Sequence, residues 1–192
     1  GYAAHGGRLW LMQRDYGLRT GRSSVLLVTT EVLWLIKGLG PGGAERLLVN
    51  MAATRHEADV RFTCAYVLPH KRHLVEQLET AGVACICLGR GSRDLLWPFR
   101  LRSLMGTGRF HVVHGHSPLP MSVARLAGLT IRRSKRPALV STEHNSWGSF
   151  AWPTRWLNRM TSRLDSAIFA VSEETAASMT GPAARRVITV QH

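Results

Sequence analysis

Short apolar runs that alternate with amphipathic helical patterns narrow the folds open to this chain more than any other feature. Runs at 32–36, 60–67, 84–88, 110–114, 138–142, 166–171 and 187–190 read as strands, and helical patterns at 44–55, 73–81, 95–105, 121–129, 152–164 and 173–179 lie between them. Such runs suit strands buried on both faces, and a helix between successive strands carries the chain back so that the next strand can pair in parallel. The expected fold class is therefore α/β, a Rossmann-like doubly wound parallel sheet. Ligands of such sheets bind outside the carboxyl ends of the strands, so the residues just past each strand are the candidates for chemistry.

A chain of 192 residues with 45% hydrophobic content can bury a sizeable core, and its length suggests one domain. Residues 1–23 lack periodicity and read as a flexible extension, leaving 24–192 as the domain. The formal charge of +13 should draw phosphates, nucleic acid or anionic lipid headgroups to the surface, although a genome rich in arginine codons would give the same sign. Cys64, Cys85 and Cys87 are odd in number and form no C-x-x-C pair. In a strand, Cys85 and Cys87 would share a face roughly 6.5 Å apart, long for a bridge. All three read as small buried hydrophobes, which fits a reducing, cytoplasmic setting. No apolar span reaches the ~20 residues of a membrane helix, and Glu31 interrupts the run 25–36, which also argues against a signal peptide.

The segment Gly42-Gly43-Ala44-Glu45-Arg46 carries the sharpest local signal. A strand that breaks at paired glycines and restarts as a helix gathers bare N–H groups and a positive helix end at one point, which suits a diphosphate. A plain turn explains the same glycines. Beyond the later strands stand His114, His116 and Ser117, then Glu143, His144 and Asn145, then Ser172 and Glu173. Polar groups thus recur where the fold places a crevice. His114 and His116 are two possible metal ligands without a third, short of a site, so no metal is expected. We assign His116 to the cleft and His114 to strand-end packing. Glu45 reads as an acid favouring its helix end, with a ligand contact as the alternative.

Together these residues resemble a known family. The run 32–52 with its Gly42-Gly43 pair, the segment from Phe110 through His114, Gly115, His116 and Ser117, then Thr142-Glu143-His144-Asn145, and Ile168-Phe169-Ala170-Val171-Ser172 are similar, in order and spacing, to the amino-terminal domain of family 4 glycosyltransferases. The resemblance covers roughly 30–192 and implies one half of a GT-B enzyme: two Rossmann-like domains across a cleft, retaining transfer from a nucleotide-sugar co-substrate, and no metal or other cofactor. The amino-terminal half chiefly holds the acceptor. By that match Gly42 and Gly43 form the loop beside diphosphate and acceptor, and His144 points at the transferring sugar. Its implied role is a hydrogen bond to that sugar or to developing charge. Ser172 and Glu173 match the segment that faces the interdomain cleft, and with the strand-end residues His116, Glu143 and Asn145 they are the expected substrate contacts. The family's second domain carries the nucleotide pocket and the basic residues that stabilise the leaving diphosphate, whereas this sequence stops at Gln191-His192. Weak or no transfer is expected from these residues alone; a carboxyl-terminal domain or partner chain would complete the cleft.

Two features admit a membrane or lipid-linked partner. The basic cluster Arg132-Arg133-Ser134-Lys135-Arg136 reads as a solvated loop or as a contact for anionic lipid or a lipid-linked diphosphate acceptor. Trp147, Phe150, Trp152 and Trp156 are mostly explained by helix packing, with Trp147 and Phe150 placed in a loop where they could line an acceptor pocket or rest on a membrane. The leading expectation is the acceptor-side half of a cytoplasmic transferase acting on a glycan or glycolipid, with peripheral contact at the inner membrane face as an option. The alternative is a non-catalytic basic α/β module that binds nucleic acid or anionic membrane.

Overall fold

The computed structural model describes residues 29–54, 60–91 and 93–190. The extension expected at 1–23 lies outside them. Seven strands, β1 (Thr30–Ile36), β2 (Val60–Tyr66), β3 (Ala84–Cys87), β4 (Val112–Gly115), β5 (Ala138–Glu143), β6 (Ala167–Ala170) and β7 (Val187–Thr189), form one sheet in the order β3-β2-β1-β4-β5-β6-β7. Every pairing is parallel. Six α-helices connect them: α1 (Gly43–Ala53), α2 (Val75–Thr80), α3 (Trp97–Met105), α4 (Pro118–Leu129), α5 (Trp152–Thr161) and α6 (Glu173–Ser178). The strand order reverses between β1 and β4, the switch point at which a doubly wound sheet opens a crevice.

Alternation along the central strands sends successive side chains to opposite faces. Trp34, Ile36, Cys64 and Tyr66 pack against Leu48 of α1 and Leu78 of α2. Leu33, Leu35, Ala65 and Val113 pack against Leu101 and Met105 of α3 and Met121 and Ala124 of α4. Leu33, Leu35 and Leu101 are wholly buried, each contributing about 1.5–3 kcal/mol of transfer free energy. A third cluster, Trp147, Ile168, Ala170, Met179 and Ala183, closes the β6 end. Glycine is required at Gly115, because a Cβ there would fall 2.8 Å from Met121 Cβ, and only its absence lets α4 lie this close to β4.

The elements expected from the sequence are all present, with shifted ends. Helix α4 begins at Pro118, three residues before the expected 121, because proline at the first helical position supplies a suitable φ without wasting a hydrogen bond. Helix α3 starts at Trp97 rather than 95, again with a proline in its first turn. Helix α5 gives way to a 3-10 turn over Ser162–Leu164. The cysteines depart from expectation more clearly. Cys64 is buried in the core, but Cys85 is half-buried and Cys87 exposed, because β3 is the edge of the sheet.

Candidate functional site

Backbone amides tie the neighbouring strand ends together. The His116 amide donates to Leu35 O (2.8 Å), and the Lys37 amide donates to Ser117 Oγ (3.0 Å), which ties the end of β1 to the end of β4. The Val171 amide likewise donates to Glu143 O (3.2 Å), tying β6 to β5. The loops carrying Gly42-Gly43, His116, His144 and Ser172 therefore belong to four adjacent strands at one edge of the sheet.

Register then decides which way each side chain faces. His114 and His116 share the face of Trp34, as do Thr142 and His144 on the neighbouring strand. His114 Nε2 lies 2.8 Å from Thr142 Oγ1, and His116 Nδ1 lies 3.2 Å from His144 Nε2. The rings of His114 and His116 lie 4.2 Å apart, and His116 meets Trp34 edge-on at 6.5 Å. His116 is 5% exposed, and its Nε2 has no hydrogen-bond partner. Burial, then the neighbouring imidazoles of His114 and His144, pushes the His116 pKa well down; burial, then His144, brings His114 down to about 4. Both are neutral at pH 7. One ring nitrogen of the His116–His144 contact carries the proton between them, and the buried Nε2 of His116 is left an unsatisfied polar atom.

Glu143 goes to the other face. It follows Leu139 and Ser141 by steps of two, so its carboxylate points into the layer of α4 and α5, where it is 3% exposed and accepts from Asn158 Nδ2 (2.9 Å). Burial raises its pKa against the lowering effects of Asn158 and Arg125. Asn158 Oδ1 in turn accepts from Arg125, which grips Asp165 with Nε (2.7 Å to Oδ1) and its terminal nitrogen. Ser141 Oγ completes the network by donating to Asp165 Oδ2 (2.7 Å). As placed here, Glu143 belongs to this buried network rather than to a surface open to substrate. The network escapes a search confined to strand ends. Its signal in the sequence is Arg125 falling on the same helical stripe as the buried Met121 and Ala124.

The remaining expected residues fall at the rim. Gly42 caps α1 without a side-chain hydrogen bond; a Cβ there would collide with the Glu45 carboxylate, which folds back over the helix start. Gly43 is exposed with open space around it. The Glu45 carboxylate thus already complements the positive end of α1, in keeping with its structural reading. Asn145 is exposed, and His144 is half-buried. Ser172 caps α6, its Oγ accepting from the Thr175 amide (3.1 Å), with Glu173 exposed in the first turn. Trp147, expected in a loop that could line a pocket, lies in a 3-10 turn and is 1% exposed, packed into the third core cluster. Trp152 and Trp156, expected to pack inward, are instead exposed. Among the described residues, no group of three His, Cys, Asp or Glu side chains could hold a metal ion, and no helix is long and apolar enough to cross a membrane.

Comparison with known proteins places this arrangement. The family model for Glycosyltransferase Family 4 matches residues 41–191. No curated protein matches the chain. Among solved structures, Anabaena HepE in complex with UDP and glucose superposes with a TM-score of 0.67 at 14% identity, covering 84% of this chain and 44% of its own. MurG of Acinetobacter baumannii matches with a TM-score of 0.52 at 16% identity over 76% of this chain and 42% of its own. UDP-GlcNAc 2-epimerase from Neisseria meningitidis, bound to UDP-GlcNAc, matches with a TM-score of 0.57 at 17% identity over 83% and 46%. This chain therefore spans less than half the length of these structures, and at such identities they establish a shared Rossmann-like fold.

Proposed function

The chain belongs to glycosyltransferase family 4, and from that premise we propose that it forms the acceptor-side half of a retaining, nucleotide-sugar-dependent transferase acting on a glycan or glycolipid at the cytoplasmic face of a membrane. One observation carries the reading: His116 and His144, from neighbouring strands, meet at 3.2 Å at the switch point, beside the strand that ends in the Gly42-Gly43 loop. HepE in complex with UDP and glucose has a related fold, which supports a nucleotide-sugar donor.

In this reading His144 presents an imidazole nitrogen to the transferring sugar. His116 holds the ring in place through the 3.2 Å contact to its Nε2, so that it is oriented to hydrogen-bond as charge develops on the donor. The half-buried setting excludes water around that contact and strengthens it. Gly43, with no neighbour within 4 Å of a would-be Cβ, leaves room for a phosphate or acceptor hydroxyl to approach the backbone. Asn145 and Glu173, exposed at the same rim, contact substrate hydroxyls, while Ser172 contributes by shaping its loop as the α6 cap. The facing half of the cleft neutralises the leaving diphosphate, and no metal or further cofactor takes part.

The test is reconstitution. The 192-residue chain alone should show little or no nucleotide-sugar turnover, and supplying a carboxyl-terminal donor half, fused or as a second chain, should raise it. In the assembled protein, His144→Ala should lower kcat by about 10²-fold with little change in thermal stability, the scale of one lost transition-state hydrogen bond. Turnover unchanged by that substitution would reject the role of His144.

A further inference from the structure

The outer surface of the α3–α4–α5 layer is at once apolar and basic. On α3 and its approach, Leu95, Leu96 and Phe99 are 82%, 60% and 66% exposed. Leu119, Leu126 and Leu129 form a stripe along α4, and Trp152, Trp156 and Met160, spaced by four, form one along α5. The three helices are neighbours: Arg102 of α3 donates to Thr130 just past α4 (2.8 Å), and Arg125 of α4 bonds Asn158 and Thr161 of α5. Outward-facing leucines and tryptophans on three adjacent helices are more than the scattered apolar exposure of an ordinary surface.

Charge identifies what covers them. Arg155, Arg159 and Arg163 run beside the tryptophan stripe, and the exposed Arg132, Arg133, Lys135 and Arg136 lie just beyond the end of α4. Between Asp94 and Asp165 the sequence contains one acid, Glu143, which is buried. Asp94 is paired with Arg100 (2.6 Å), and Asp165 with Arg125. A face with cations and no free anion cannot complement a second copy of itself, because a two-fold contact would set like charges together. Polynucleotide would satisfy the arginines and leave the leucines in water. A bilayer surface with anionic headgroups satisfies both, with tryptophans at headgroup level and arginines among the phosphates.

A shallow groove of about 460 Å³ at the start of α3, lined by Arg90, Leu96, Phe99, Arg100 and Ser103, combines the same two chemistries. We infer that the outer face of α3, α4 and α5 is a docking surface for an anionic phospholipid bilayer. Helices that link parallel strands run against them, so Leu95, Leu96, Phe99, Leu119 and Trp152, at the starts of these helices, lie toward the sheet edge that carries His116 and His144. Docking brings that edge close to the headgroups without a spanning helix. This surface stands apart from the transferase reading, since its measurement requires no turnover.

The experiment is flotation of the full chain with vesicles of phosphatidylcholine alone and of phosphatidylcholine with phosphatidylglycerol. Binding is expected to the anionic vesicles, with little to the neutral ones. Arg155→Glu with Arg159→Glu should lower partitioning by more than about twentyfold, since each arginine near the surface is worth about fivefold. Trp152→Ser with Trp156→Ser should lower it by about tenfold, loss of two interfacial aromatics. Arg72→Glu, beside α2 on the opposite layer, should leave it unchanged. Equal partitioning into both vesicle types overturns the inference, as does wild-type binding by both helix variants. Self-association or polynucleotide binding through these residues without vesicle binding would also overturn it.

Discussion

Two imidazoles, His114 and His116, are neutral in the folded chain, and this ties stability to pH. Their folded pKa values lie below the ordinary value near 6.5, His114 at about 4, so on acidification the unfolded chain takes up protons first. Their contribution is therefore fully present above about pH 6.5 and lost as pH falls toward 4, at up to about 1.4 kcal/mol per pH unit for one histidine. Glu143 acts in the opposite sense, because its raised pKa makes the folded state the stronger proton binder just above the usual carboxylate range. His114→Gln should flatten the dependence. Urea midpoints at neutral and mildly acidic pH measure it, and an equal pH difference in variant and parent would refute the assignment. Glu143 also marks where reading strand ends from the sequence fell short. Position after a strand identified it, but parity with Leu139 and Ser141 turns it inward, while Thr142 and His144 take the cleft face.

At the scale of elements, α4, α5 and β5 are joined by a buried polar network centred on the ion pair between Arg125 of α4 and Asp165, just before β6. Arg125 and Asp165 are wholly buried, so removing one partner leaves an uncompensated charge out of water. Arg125→Met should destabilise the chain by about 3–5 kcal/mol in urea denaturation, and adding Asp165→Leu should recover much of that loss, since replacing a buried pair with apolar groups is often near neutral. A double variant no more stable than the single one would show that the network does more than satisfy its own charges. Strands and helices were legible because their periodicities differ. Their ends were less so, since Pro98 and Pro118 start helices within segments whose periodicity alone does not locate the first turn. The 3-10 turn at Trp147–Ser149 carries no periodic signal, and it is this turn that draws Trp147 into the core.

Across the whole molecule, a formal charge of +13 does not distinguish a membrane from a polyanion, but the position of apolar residues among the charges does. Raising salt into the range of several tenths molar should release single-stranded DNA from the chain by orders of magnitude. Binding to anionic vesicles should weaken far less, because burial of Trp152, Trp156, Leu96 and Phe99 is not screened. Parallel salt titrations of both ligands test this, and equal slopes would return the surface to a purely electrostatic role. The alternation of apolar runs and amphipathic patterns determined the Rossmann-like architecture and the edge where chemistry gathers, because secondary structure and strand burial are written in local periodicity. Tertiary structure alone decided that His116 meets His144, that Glu143 joins Arg125 and Asp165, and that Trp152 and Trp156 face outward. Each depends on which strands become neighbours and which face a helix covers, and those contacts join residues far apart in the chain.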